Sequence, residues 1–392
     1  GSDASYTWAS GDEAVAKVDD KGVVTGVAPG TAQITVTGAD TKKTATATVV
    51  VTTDVPAMAD WIKGGHAKAS AEAFRHWDGD TPPEVPTSCA KCHATAGFMD
   101  FLGADGSEAG KVDKAAAPSP GIECKACHNA KASALTSVTF PSGAKLEGLG
   151  SEALCMSCHQ GRGSTDSVDK VITDAALADD DTVGSTLSFQ NIHYYPAGAT
   201  LMAGKVRGGY QYTGKVYDSN FRHAAGLNTC ISCHNPHSLE VRIDACKDCH
   251  TGVTKVEDLR KIRMIDSKLD YDGDGKTDGG VYDEIVGLRT KLLTAIQAYP
   301  VAKSTAKICY GDAYPYFFKD TDGNGTCETG EANFGNKYDA WTPRLLRAAY
   351  NYQMALKDPG AYAHNAKYII QLLYDSITDL NTQLGAAAAA AA

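Results

Sequence analysis

The sequence predicts a multidomain chain: a small β part at the N-terminus, a loop-rich middle with little regular structure, and an α-helical C-terminal part. Three observations predict it. Residues 1–54 are rich in Val, Thr, Ala and Gly and hold no Cys or His. Residues 55–252 hold ten cysteines in pairs with two residues between them, each pair followed at once by His. Residues 253–385 show helical apolar spacing. The all-alanine run 386–392 reads as a placeholder tail.

Within the first part, Ala14–Val18, Gly22–Val27, Ala32–Thr37 and Thr44–Val51 read as strands, parted by Asp-Asp-Lys-Gly and Ala-Pro-Gly turns. The segments Trp8-Ala9-Ser10, Val15-Ala16-Lys17-Val18-Asp19, Gly22-Val23-Val24-Thr25-Gly26-Val27 and Pro29-Gly30-Thr31-Ala32 resemble a bacterial immunoglobulin-like domain of the Big-2 kind. The resemblance implies the second half of such a domain, its first strands either cut off or supplied by a neighbouring chain.

In the middle, Met58–Trp77 is expected to be helical. Tyr210–Tyr212 and Val216-Tyr217, around Thr213-Gly214-Lys215, read as a β-hairpin. Helices are expected at Thr254–Leu269 and Tyr282–Tyr299. Thr342-Pro343 supplies an N-cap and a first-position proline for a helix ending near Asp358-Pro359-Gly360. A last helix carries Tyr368, Ile369, Leu372, Leu373, Ile377 and Leu380 on one face, so the two should pack as an antiparallel hairpin.

The Cys-x-x-Cys-His motifs carry the chemistry: Cys89, Cys92 and His93; Cys124, Cys127 and His128; Cys155, Cys158 and His159; Cys230, Cys233 and His234; Cys246, Cys249 and His250. Cysteines three apart share one turn and reach both vinyl groups of one porphyrin, and the next imidazole meets the iron from that side. Zinc would need motifs to pair, and five is odd. The expected cofactors are five haem c, with His93, His128, His159, His234 and His250 as proximal ligands.

Each iron takes a sixth ligand. His66, His76, His193, His223, His237 and His364 are six candidates for five positions. Methionine is the rival, but none of the six Met residues lies in a recognisable ligand motif. His237, three residues after His234, is better placed for a neighbouring haem than for its own.

The segments Phe74-Arg75-His76-Trp77, Cys233-His234-Asn235-Pro236-His237, Cys158-His159-Gln160-Gly161-Arg162, Trp341-Thr342-Pro343-Arg344-Leu345-Leu346 and Tyr362-Ala363-His364-Asn365 resemble the extracellular multihaem cytochromes of metal-reducing bacteria, some of which polymerise into haem-lined filaments. The resemblance covers roughly 55–384. It implies a site of action outside the cell or on its surface, with the periplasm second, while six candidates for five positions permit histidine on both faces of every iron.

In the C-terminal part, Asp320, Asp322, Asn324, Thr326 (by its carbonyl) and Glu331 fill a twelve-position calcium loop with Gly325 at the turn. Asp270, Asp272, Asp274 and Lys276 (by its carbonyl) start a second one. Its twelfth position is Val281, so Asp283 or Glu284 must substitute. The plain alternative is two acidic turns. Cys309 and Cys327 lie outside the haem motifs and are expected to form a disulfide in an oxidising compartment.

Six-coordinate haems close an iron to substrates, so the expected function is electron transfer along a chain of closely spaced haems, as a soluble carrier or as the subunit of a polymer. Expected partners are redox proteins, extracellular acceptors or further copies of the chain. The rival is a reductase like the pentahaem nitrite reductases. Those typically carry a lysine proximal ligand at an open iron, whereas all five motifs here end in His. The net charge of −10 argues against nucleic acid as a partner. No apolar run is long enough to span a membrane as a helix.

Overall fold

The computed structural model describes residues 3–53, 55–264, 267–303 and 305–385. The alanine run 386–392 lies outside them. The chain forms two compact units, residues 1–68 with 237–239, and residues 69–236 with 240–392.

The first unit is built on β1 (Tyr6–Ser10), β2 (Ala16–Val18), β3 (Val24–Gly26), β4 (Gly30–Gly38) and β5 (Thr44–Val51). An antiparallel sheet runs β1-β4-β5, with Trp8 opposite Val36 and Ile34 opposite Ala47. β2 and β3 form a separate ribbon. Alternation puts Ala32 and Ile34 inside, where they are buried with Ala16. The turn before β3 needs glycine: Gly22 has φ +83°, and a Cβ there would stand 2.7 Å from the Trp8 ring. β1 was not among the expected strands. The expected helix over 58–77 is broken into Met58–Trp61 and Glu72–Arg75, with a short 3-10 turn between them. Adjacent Gly64 and Gly65, each costly in a helix, mark the break.

In the second unit each motif opens or closes a short helix: α1 (Thr87–His93), α2 (Cys124–Cys127), α3 (Glu152–Cys158), α4 (Cys230–Cys233) and α5 (Ile243–Lys247). Three long helices follow, α6 (Val281–Ala302), α7 (Pro343–Lys357) and α8 (Ala366–Asn381). Thr342 caps α7 by accepting the Leu345 N–H at 3.2 Å, and Asn365 caps α8 through the Tyr368 N–H at 3.1 Å. α8 packs against both α6 and α7. Their core holds Leu292, Ile296 and Tyr299 with Leu345, Tyr350, Ile369 and Leu373. Val168, Leu187, Ile192 and Tyr210 join it, so residues on both sides of position 252 share one core.

Two expectations fail in this unit. Among the described residues of the stretch Thr254–Leu269, only Val256–Leu259 is helical. The hairpin at Tyr210–Tyr217 has a turn but no ladder. Its backbone pairs with side chains instead: Asn351, fully buried on α7, accepts the Tyr210 N–H at 2.7 Å and donates to the Tyr210 carbonyl at 2.9 Å. Tyr217 donates to Asp375 at 2.8 Å.

Between the motif helices the apolar clusters are small and separate. One holds Val85, Ala90, Ala94 and Ala116, and another Phe98, Leu102, Ala126 and Ala132. A third holds Val138, Phe140, Met156 and Met202.

Candidate haem sites

The ten motif cysteines are half-buried or exposed, and Cys89, Cys158 and Cys230 each pack at the edge of a small apolar cluster. In the first four motifs the two cysteines share a turn of helix that the histidine closes, and in the fifth the helix ends at Lys247 with Cys249 in the turn that follows. The His128, His159, His234 and His250 N–H groups each donate to the carbonyl of their own motif's first cysteine, at 2.8 to 2.9 Å.

Three spare histidines face a proximal one. The rings of His93 and His193 have centroids 5.8 Å apart, those of His223 and His250 5.9 Å, and those of His234 and His364 6.5 Å. Two imidazoles holding one metal from opposite sides, at bonds of about 2.0–2.1 Å, stand with ring centres about 6 Å apart. The spacing fits an iron between each pair. His66 and His237 fall in the first compact unit, and His76 on the surface of the second. The Nδ1 of His76 lies 2.8 Å from exposed Glu72, and its ring stands edge-on to Trp77, which in turn packs on His93.

Hydrogen bonds at Nδ1 orient these rings and leave Nε2 for a metal. His93 Nδ1 lies 2.8 Å from the Ala73 carbonyl, and His159 Nδ1 3.1 Å from the Tyr195 carbonyl. His364 Nδ1 lies 2.9 Å from both oxygens of Asp358, which is 2 % exposed. Burial lowers the pKa of His93 and His159. Burial, with the nearby charges of His93 and Arg162, pushes His193 down to about 4. These imidazoles are therefore neutral at pH 7, the form that binds iron. Burial also works against a charged His364, but the Asp358 carboxylate more than offsets it and the pKa rises.

The motif helices adjoin one another. The Cys158 thiol at the end of α3 lies 3.8 Å from the Lys91 carbonyl in α1 and interacts directly with the Cys92 thiol. Glu152 on α3 accepts the Cys230 N–H of α4 at 3.1 Å and the Cys230 thiol at 3.4 Å. Ala126 of α2 shares an apolar cluster with Leu154 and Cys158 of α3. α4 packs on α5, where the Arg242 N–H donates to the Cys233 carbonyl at 2.8 Å. The third motif thus touches the first, second and fourth, and the fourth touches the fifth.

Both acidic loops close on themselves. Asp320 accepts the Gly323 and Gly325 N–H groups at 2.6 and 3.0 Å. Asp270 accepts those of Gly273 and Gly275 at 2.6 and 2.7 Å. Carboxylate oxygens of Asp320, Asp322 and Glu331 lie within 4.8 Å of one another, as do those of Asp270, Asp272 and Glu284. Of the two substitutes for Val281, the buried Glu284 reaches the second loop. Asp283 instead accepts the Gly280 N–H at the start of α6. Glu284 also pairs with Arg263 at 2.6 Å. Cys309 and Cys327 form a disulfide that ties a short strand to the first loop.

Residues 1–49 match the bacterial Ig-like domain (group 2) family model. The chain is similar to the C-type polyheme cytochrome OmcC of Geobacter sulfurreducens, 25% identical over 374 residues, covering 81% of this chain and 46% of the relative. It is 28% identical to OmcB of the same organism over 260 residues, 57% of this chain and 30% of the relative. The multiheme cytochrome MtrA of Shewanella baltica is 25% identical over 193 residues, 44% of this chain and 55% of that protein. The chain spans about half or less of the length of these relatives. No solved structure gives a significant match. These likenesses bear out a multihaem c-type cytochrome with an Ig-like N-terminal segment.

Proposed function

We propose that this chain transfers electrons outside the cytoplasm through five haem c groups, each held by two thioether bonds and two histidines. Each group stores and passes on one electron. His93, His128, His159, His234 and His250 are the proximal ligands. His193, His223 and His364 serve the irons of His93, His250 and His234, and His66, His76 and His237 are the remaining distal candidates. The observation that carries this reading is the continuity of the motif helices, from α1 and α2 through α3 and α4 to α5. It brings neighbouring attachment sites together.

The residues around the sites support a carrier. Hydrogen-bonded, half-buried imidazoles hold fixed positions, so little reorganises when charge arrives. The donors and acceptors are other redox proteins or extracellular acceptors. The two acidic loops bind Ca²⁺ with a structural role, Asp320, Asp322, Asn324, Thr326 and Glu331 in one, and Asp270, Asp272, Asp274, Lys276 and Glu284 in the other. An imidazole given by one copy to an iron of the next would join the haem series of successive subunits into a filament. Electron microscopy of the native protein tests that step. Uniform filaments with haems continuous across subunits support it, and separate small particles reduce the protein to a monomeric carrier.

A further inference from the structure

The hydrogen bonds behind the imidazoles differ in kind. His93 and His159 turn Nδ1 to neutral backbone carbonyls. His364 turns Nδ1 to a carboxylate, with both Asp358 oxygens at 2.9 Å. Asp358 is 2 % exposed, whereas the carboxylate–imidazole contact of Glu72 with His76 sits on the surface with side chains 81% and 62% exposed. Water and salt screen a pair like that one, and the buried pair is screened far less.

Asp358 is also held from behind. The Gly360 N–H donates to Oδ1 at 3.1 Å. Asp358 follows directly on α7 and His364 precedes α8, so two core-packed helices fix the pair. A carboxylate on one ring nitrogen pushes electron density to the other and makes it a more basic ligand. A more basic ligand stabilises the ferric state over the ferrous one.

We infer that Asp358 is a positioning residue that lowers the reduction potential of the haem attached at Cys230 and Cys233, through its hydrogen bonds to the His364 ring. The inference rests on the reading that His234 and His364 share that iron. Asp358 would make the fourth site, between the third and the fifth, a low-potential step in the series.

The test is Asp358→Asn in the full haem-loaded chain, with Asp358→Glu beside it. Haem content, low-temperature EPR and a spectroelectrochemical titration are measured on each. The expected result is five low-spin haems in Asp358→Asn, with one potential shifted positive by about tenfold in its reduction equilibrium, about 59 mV for one electron. Asp358→Glu should restore most of that shift. Five low-spin haems with no potential moved would overturn the inference and leave the ligation intact. A haem turned high-spin in Asp358→Asn would also overturn it, since Asp358 would then only hold the ring in place. Separately, His364→Ala that leaves every haem low-spin would overturn the shared iron itself.

Discussion

The imidazoles of His93 and His193 face each other with ring centroids 5.8 Å apart, although 100 residues separate them in the chain. Residue 193 has φ +74°, an uncommon backbone conformation for a non-glycine residue. The Asn191 side chain holds that turn by accepting the His193 N–H at 2.8 Å. His193→Ala should leave the haem at Cys89 and Cys92 covalently attached and turn it high-spin. EPR of the variant, set against an unchanged haem count, checks this.

Thr342 caps α7 and also lies 3.0 Å from the Tyr299 hydroxyl on α6. Thr342→Ala should destabilise the second unit by about 1 kcal/mol, the usual cost of a lost N-cap. Thermal denaturation should show a lower Tm with the visible haem spectrum unchanged at 25 °C. Thr342→Ser should recover most of the loss.

Asp181 gathers Arg344 at 2.8 Å, the Tyr299 hydroxyl at 2.7 Å and Lys303 at 3.3 Å. Burial resists its charge, and these partners more than offset that, so its pKa is lowered. A carboxyl depressed in the folded state contributes stability in full above its unfolded pKa of about 3.9, and loses it as pH falls through the folded value. Asp181→Asn should therefore be less stable than wild type at pH 7, with the gap closing below about pH 4. Urea titrations at several pH values would show it. A gap that widens toward acid would contradict the assignment.

Calcium removal should lower the Tm. An ion that binds only the folded chain stabilises it in proportion to RT ln(1 + [L]/Kd), so the Tm should climb with added calcium. Glu331→Gln should weaken the first loop's share of that response, and Glu284→Gln the second's. Scanning calorimetry with a chelator and with graded calcium checks both.

Much of this was legible in the sequence because the signals are local. The five Cys-x-x-Cys-His motifs follow from spacing alone and the Thr342-Pro343 helix start from its cap signal, while the Cys309–Cys327 pair follows from these two cysteines lying outside the motifs. The Asp320 loop reads directly as well. What escaped depends on tertiary partners. The Tyr210–Tyr217 stretch has a hairpin's pattern, but Asn351 and Asp375 take its polar groups. Apolar spacing over Thr254–Leu269 outlasts the helix, which stops after Leu259 where Arg263 ties Ser267, Gly279 and Glu284 together. Asp358 read only as a helix stop before Pro359-Gly360. Its contact with His364 became visible once the chain between the two helices was folded back.

The central claim is that five haems are bound and each iron is closed by two histidines. Haem content by pyridine haemochrome, measured together with low-temperature EPR of the fully oxidised native protein, tests it most directly. The account predicts five haems per chain and low-spin ferric signals only. Fewer than five haems, or a strong high-spin ferric signal from an open iron, would contradict it and return the reductase reading.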